Sequence, residues 1–237
     1  MQLFFIRHGQ SENNALWEQT GSSELRSSDP ELTKTGQLQA ANLANFLAQS
    51  EVNQAEPNPF DIDSFGITHL YTSLMVRAVA TATPIAYALH LPLVAWKNIH
   101  EEGGIYRNDL FGNPVGLPGH DRNYFSSYYP ELQLPADLDD KGWWNRPFED
   151  DTDRIARAQK VLEELLEVHG GTQDHVAMVS HGGLYNLLLQ KLLKISDDCT
   201  VGFELKNTAI SRIDFNNSEI EVVYLNRFDF IPPALIT

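Results

Sequence analysis

The sequence predicts an α/β fold: a three-layer α/β/α sandwich with a mostly parallel central sheet and an inserted cap region. Three observations predict it. Short apolar runs at residues 2–6 (QLFFI), 67–72 (ITHLYT) and 175–180 (HVAMVS) read as buried strands. Each run is followed by a stretch with helical periodicity, and strands alternating with helices build parallel sheets covered on both faces. Across residues 103–150 the periodicity disappears and Gly, Pro and aromatic residues gather. A structureless loop that long is uncommon inside a compact domain, so the segment reads as a cap inserted over the site. The whole chain, 1–237, reads as one domain carrying that insert.

The elements follow in order. After the first strand, residues 11–30 are mostly polar and read as a loop with room for a short helix. Thr33 can cap a helix over 35–48, where Leu38, Ala41 and Phe46 give an apolar stripe. Residues 51–64 are rich in Pro and Asp and read as a surface loop. Ser73 can cap a helix over 74–89, with Pro84 as a kink or break. Ile155, Ala158, Val161, Leu162, Leu165 and Leu166 define a helix over 152–168, closed by Gly170 and Gly171. A helix from Gly182 to about Leu193 follows the third strand, and two strands, 208–215 and 220–225, complete the chain.

Composition excludes several classes. Apolar residues make up 42%, enough for a core, and no run reaches the 18 residues or so that a membrane span needs. Seventeen basic against 32 acidic residues give a net charge of −15, which disfavours a nucleic-acid partner or an anionic membrane surface. A small anionic substrate is still compatible, because a pocket can be locally positive on an acidic protein. Cys199 is alone, and the start MQLFFIRHG has no basic region before its short apolar run. Both fit a cytoplasmic protein. The Asn216-Asn217-Ser218 sequon then reads as chance. Oligomeric state is not legible.

In parallel sheets ligands gather at the carboxyl ends of strands. Arg7 and His8 lie just past one such end, His181 past another, and Ser73 and Arg77 past a third. Arg7 and Arg77 carry donor forks suited to phosphate oxygens. A neutral imidazole can attack phosphorus, and a second, protonated one can offset charge in the transition state. Gly9 and Gly182 would let backbone approach the bound group, and Gly182-Gly183 opens a helix whose N-terminus favours anions. Glu101 and Glu102 supply a carboxylic acid to protonate the leaving oxygen. Partial burial near a phosphate would favour its protonated form.

The segments RHGQSENN, LTKTGQLQA, TSLMVRAVATA, IHEEGG and VSHGG, in that order, resemble the histidine phosphatase superfamily, also called phosphoglycerate-mutase-like. The resemblance covers most of the chain outside 103–150. It implies that His8 is the phosphorylated nucleophile, with Arg7, Arg77 and His181 completing the phosphate-binding core. Asn14 falls where the family has an asparagine that contacts phosphate, and Ser11 lies in the same loop. Glu101 matches the family's acid, with Glu102 as the alternative. Gln10 stands where many members have Glu, and Met75 where a less bulky residue is common. The 103–150 segment does not resemble the cap of the cofactor-dependent mutases.

The expected activity is metal-independent hydrolysis of a small-molecule phosphate monoester through a phosphohistidine, with no cofactor. A phosphoglycerate-mutase-like phosphotransferase, or a non-catalytic module that binds a phospho-ligand, are the alternatives. Among the remaining histidines there is no HExxH or paired Cys/His spacing, so no metal is expected. His120 and Arg107 read as surface residues of the cap, Trp143 and Trp144 as its anchor to the core, and the acidic run 137–140 as solvated. The long aromatic cap suggests a substrate with an apolar or planar part.

Overall fold

The computed structural model describes residues 1–52, 65–196, 199–216 and 219–237. Most of the Pro- and Asp-rich loop, and two residues of the sequon, lie outside them. In chain order the elements are β1 (Gln2–Arg7), α1 (Glu12–Thr20), α2 (Lys34–Val52), β2 (His69–Thr72), α3 (Val76–Leu89), β3 (Leu93–Ala95), β4 (Tyr106–Asn108), β5 (Pro114–Gly116), α4 (Arg122–Tyr128), β6 (Leu132–Gln133), α5 (Asp151–His169), β7 (His175–Ser180), α6 (Gly182–Leu192), β8 (Ile210–Asn216) and β9 (Glu219–Arg227). Seven strands form the central sheet in the order β6-β3-β2-β7-β1-β8-β9. The five from β6 to β1 are parallel, β8 runs antiparallel to β1, and β9 antiparallel to β8.

Two apolar layers follow from strand alternation. Phe4 and Ile6 of β1, with Ala177 and Val179 of β7, pack against Leu43 and Leu47 of α2 and Val79, Ala82 and Ile85 of α3. Leu3 and Phe5, with Val176 and Met178, face Val161 and Leu165 of α5 and Leu184 and Leu188 of α6. Successive strand residues point to opposite faces, so each strand must be apolar throughout. That is why QLFFI and HVAMVS read as continuous runs.

Several boundaries depart from the sequence reading. Ser73 does not cap α3: its hydroxyl accepts from Met75 N, and Met75 is the N-cap without a side-chain bond. A distant side chain takes that role, since Asp29 Oδ1 accepts from Val76 N at 3.2 Å. The helix does not break at Pro84 and runs on to Leu89. Residues 11–30 include a true helix, α1, where Ser11 and Asn14 form a reciprocal capping box. Helix α5 starts at a cap from Asp150, whose side chain accepts from Asp153 N.

The segment over 103–150 is sewn into the sheet. Its hairpin β4-β5 stands apart, but β6 pairs in parallel with β3, Leu132 against Leu93. Strands of two and three residues leave no periodic trace in a sequence, so neither β6 nor β3 is legible there. Trp143 and Trp144 are buried in the core, as an anchor would be. Arg107, Asp137, Asp139 and Asp140 are exposed, and His120 is half-buried, stacked on Tyr124.

Candidate active site

The register of the parallel strands sets the geometry. Arg7 pairs with Ser180 and Thr72 with Val179, so β1, β7 and β2 end side by side. His8 N donates to Ser180 O at 3.0 Å and Ser73 N to Val179 O at 3.2 Å, which carries the alignment one residue past each strand. The rings of His8 and His181 lie 5.1 Å apart between centroids. Arg77, in the first turn of α3, donates from Nε to His8 Nε2 at 3.2 Å.

That bond defines the state of His8. Nδ1 lies 2.6 Å from the Gly9 carbonyl, which can only accept, so Nδ1 carries the proton. Nε2 accepts from Arg77, so its lone pair faces the cluster of cations. Burial first, then Arg77 and Arg7, push the His8 pKa well below the ordinary imidazole value of 6.5. His181 is pushed the same way by burial, Arg77 and His8. Before an anion arrives the His181 ring is therefore held toward its neutral form, which offers a single N–H. Neither of its ring nitrogens, nor Arg7 Nε, has a hydrogen-bond partner among the described residues. Orphaned buried polar groups are costly, and an arriving anion would satisfy them.

Of the two carboxylic acids, only Glu101 faces the cluster. Its Oε1 accepts from Gly183 N at 2.9 Å and Glu102 N at 3.1 Å, and its charge acts on both Arg7 and Arg77. Glu102 turns away to Arg154, 2.7 Å from Oε2, although burial and Glu101 raise its pKa. A Cβ at Gly183 would strike the Glu101 carboxylate, so this glycine keeps the acid against the helix N-terminus. The Gly183 amide is thereby occupied, and Gly182 is the one with open space beside it, near Arg7.

Gly9 has a different purpose from the one its position suggests. A Cβ there would lie 2.6 Å from the Gly36 carbonyl oxygen, and one on Gly36 would strike Gln10 O. The pair lets α2 press against the loop after β1. Ser11 is engaged in capping α1, its hydroxyl on Asn14 Oδ1 at 3.0 Å. Asn14 spends Oδ1 on that cap, which leaves its amide N–H groups as the donors a phosphate could use. Gln10 donates to Glu18 at 2.9 Å and accepts from Thr33 at 2.7 Å. A Glu at position 10 could not donate to Glu18, which gives this departure from the family pattern a local cause.

Sequence reasoning missed four supporting residues. Asp29, with its side chain 6% exposed, lies 3.6 Å from Arg77 Nη1. Its burial, only partly offset by Arg77, raises the carboxyl from 3.8 to about 7. Asn207 donates to the His8 carbonyl at 2.9 Å. Thr81, one turn after Arg77, accepts from Gly9 N and donates to the Arg77 carbonyl. His100 lies 2.8 Å through Nδ1 from the Glu101 carbonyl and packs on Trp144 with ring centroids 4.7 Å apart. Only Thr81 carried a sequence signal, its i+4 spacing from Arg77.

A sequence model of the histidine phosphatase superfamily, branch 1, matches residues 3–109 and 116–227. The chain belongs to the histidine phosphatase superfamily. It is 26% identical over 219 residues to the "Probable phosphoglycerate mutase GpmB" of Yersinia pestis, covering 92% of this chain and 86% of that one. Its fold matches the phosphoserine phosphatase of Entamoeba histolytica, solved with 3-phosphoglyceric acid, with a TM-score of 0.61 at 21% identity over 98% and 99% of the two chains. The α-ribazole phosphatase of Shigella flexneri matches with a TM-score of 0.61 at 19% identity over 96% of each. At these identities the structural matches establish the superfamily fold alone. No helix among the described residues is long and apolar enough to cross a membrane.

One prediction arises from the three buried histidines of this region. His8, His100 and His181 all have folded pKa values well below 6.5. Below pH 6.5 the unfolded chain therefore binds protons that the folded chain refuses, and stability is lost as pH falls. Asp29, whose carboxyl is raised from 3.8 to about 7, binds a proton in the fold and offsets one of the three, so the net slope is roughly 2–3 kcal/mol per pH unit between pH 6 and 5. Urea unfolding at pH 7.5, 6.0 and 5.0 measures it, and a flat stability over that range would refute the neutral state of these rings.

Proposed function

We propose that the protein hydrolyses phosphate monoesters in two steps through a phosphohistidine on His8, without a metal. The observation that carries this reading is the tautomer of His8: Nδ1 fixed on the Gly9 carbonyl, and the Nε2 lone pair directed among Arg77, Arg7 and His181. His8 Nε2 attacks phosphorus as Arg7, Arg77 and the His181 N–H hold the equatorial oxygens. Asn14 and the Gly182 amide add donors at the edge. Glu101 protonates the departing alkoxide, then takes a proton from water as it attacks the phosphohistidine. The phosphate so delivered offsets the charge of two buried arginines that Glu101 and Asp29 relieve only in part.

The leaving group would lie toward the cleft of ≈ 590 Å³ lined by Leu32, Val76, Tyr124, Tyr128 and Tyr129. Val76, next to Arg77 in sequence, is one of its lining residues, and its aromatic wall comes from α4 and the turn after it. A planar or apolar leaving group suits such a wall. The phosphotransferase reading has one observation in its favour, the similarity to the GpmB relative. Such an enzyme would return the phosphoryl group to a bound acceptor instead of water.

A panel of aromatic and aliphatic phosphate monoesters, offered in EDTA, separates these readings. Hydrolysis predicts free phosphate and, after rapid quench, an acid-labile, base-stable label on the protein. Label without free phosphate would overturn hydrolysis in favour of transfer. Neither signal across the panel would overturn both and leave a binding module. Equal rates on planar and aliphatic esters would refute the assigned leaving-group wall.

A further inference from the structure

At the opposite end of the sheet from His8, three side chains that take no part in this chemistry come together. His69 opens β2, beside Val176 and three residues before the end that faces the phosphate site. His169 ends α5, and Asp174 lies just before β7. One ligand atom from each lies within 4.8 Å of the other two. We propose that His69, His169 and Asp174 bind a divalent transition metal of the zinc class, at a site remote from the phosphate-binding residues.

Two imidazoles and a carboxylate form a borderline donor set that zinc accepts readily, with water completing the shell. His169 Nδ1 is 2.8 Å from Asp174 Oδ2, and its Nε2 is 3.0 Å from the Tyr71 hydroxyl. The His69 and His169 rings lie 4.7 Å apart between centroids at 64°. His69 Nδ1 is held by Thr68 Oγ1 at 2.8 Å, which leaves Nε2 as its ligand atom. His169 is 3% exposed, whereas His69 and Asp174 are half-buried, so an ion can enter from solvent. Tetrahedral bonds of about 2.0–2.1 Å set ligand atoms about 3.3 Å apart, so His169 and Asp174 must part slightly from 2.8 Å while His69 moves in from within 4.8 Å.

Proton bookkeeping is simple. Without metal, His169 Nδ1 donates to Asp174, whose carboxylate can only accept, and Nε2 faces the Tyr71 hydroxyl. When the metal takes Nδ1, the ring proton moves to Nε2 and is donated to the Tyr71 oxygen, whose own hydrogen turns outward. The hydroxyl then orients the metal-bearing ring. The chain separation of these residues hides the site from any search for ligand spacing.

The test uses the full chain, without a histidine tag, stripped of metal and titrated with zinc against a chromophoric chelator. One equivalent binds with micromolar or tighter affinity and raises the melting temperature by at least about 3 °C. His69→Ala and Asp174→Asn each weaken binding tenfold or more, Tyr71→Phe weakens it less, and His8→Ala binds as the parent does. Metal-free melting checks that each variant folds, and His69→Gln replaces His69→Ala if that one does not. The proposal is overturned if no equivalent binds, if the His69 and Asp174 variants bind as the parent does, or if His8→Ala loses the metal. None of these readouts depends on phosphate release, so failure here leaves the phosphatase reading untouched.

Discussion

If the proposed mechanism holds, His8→Ala is expected to lower phosphate release by more than about a thousandfold and to abolish the trapped phosphoenzyme. A group that forms the covalent intermediate cannot be replaced by the remaining machinery, which only binds and stabilises charge. Affinity for a phosphate ester survives, because Arg7, Arg77 and His181 remain. The variant removes a buried imidazole bonded to the Gly9 carbonyl and to Arg77 Nε, so it leaves two groups unpaired. His8→Asn, with polar atoms in the same place, guards against loss through misfolding. The measurement is quenched-flow labelling alongside steady-state release, with melting temperatures for both variants. Turnover within tenfold of the parent in either folded variant would discard the mechanism.

Glu101→Gln produces a loss that depends on the leaving group. For alkyl phosphates, whose alkoxide must be protonated as it leaves, kcat/KM falls by about 10²–10⁴. For an aryl phosphate with an acidic phenol the same substitution costs no more than about tenfold. The glutamine Oε1 still accepts from Gly183 N and Glu102 N, so the local frame is kept. The parameter must be kcat/KM, which ends at the first irreversible step and so excludes hydrolysis of the phosphohistidine. Glu102→Gln, which touches only the Arg154 pair, is expected to leave that parameter within about threefold on both esters. Equal losses on the two esters in Glu101→Gln would reduce Glu101 to a brace for α6.

The electrostatics of the site set its demands on a substrate. Arg7 and Arg77 are both lowered by burial, and each is partly relieved by Glu101. Arg77 has a second relief in Asp29, and the ligand-free site holds one N–H of His181 without a partner. A dianionic phosphoryl group answers both needs at once. The Asp29 carboxyl at about 7 makes its pair with Arg77 complete only above neutrality. The hold on Arg77 thus strengthens with pH as the acid form of any general acid is lost.

The sequence by itself determined the fold class, the position of three strand ends and the candidates Arg7, His8, Arg77 and His181. It could do so because fully buried strands must be apolar on both faces, and because polar residues straight after such runs have nowhere to go but the sheet edge. Only the tertiary structure shows which of Glu101 and Glu102 lies against the α6 N-terminus and which turns to Arg154: adjacent carboxylates look alike until one meets a helix N-terminus and the other an arginine. It also decided the state of His8, since a tautomer depends on what each ring nitrogen touches. Gly9 was legible as a glycine but not as the place where α2 meets the loop, and Ser73 as a cap was displaced by Asp29 from a distant loop. Short edge strands β3 and β6 left no period to read. Asp29, Asn207 and the His69, His169 and Asp174 cluster depend on contacts between segments far apart in the chain, which local pattern does not encode.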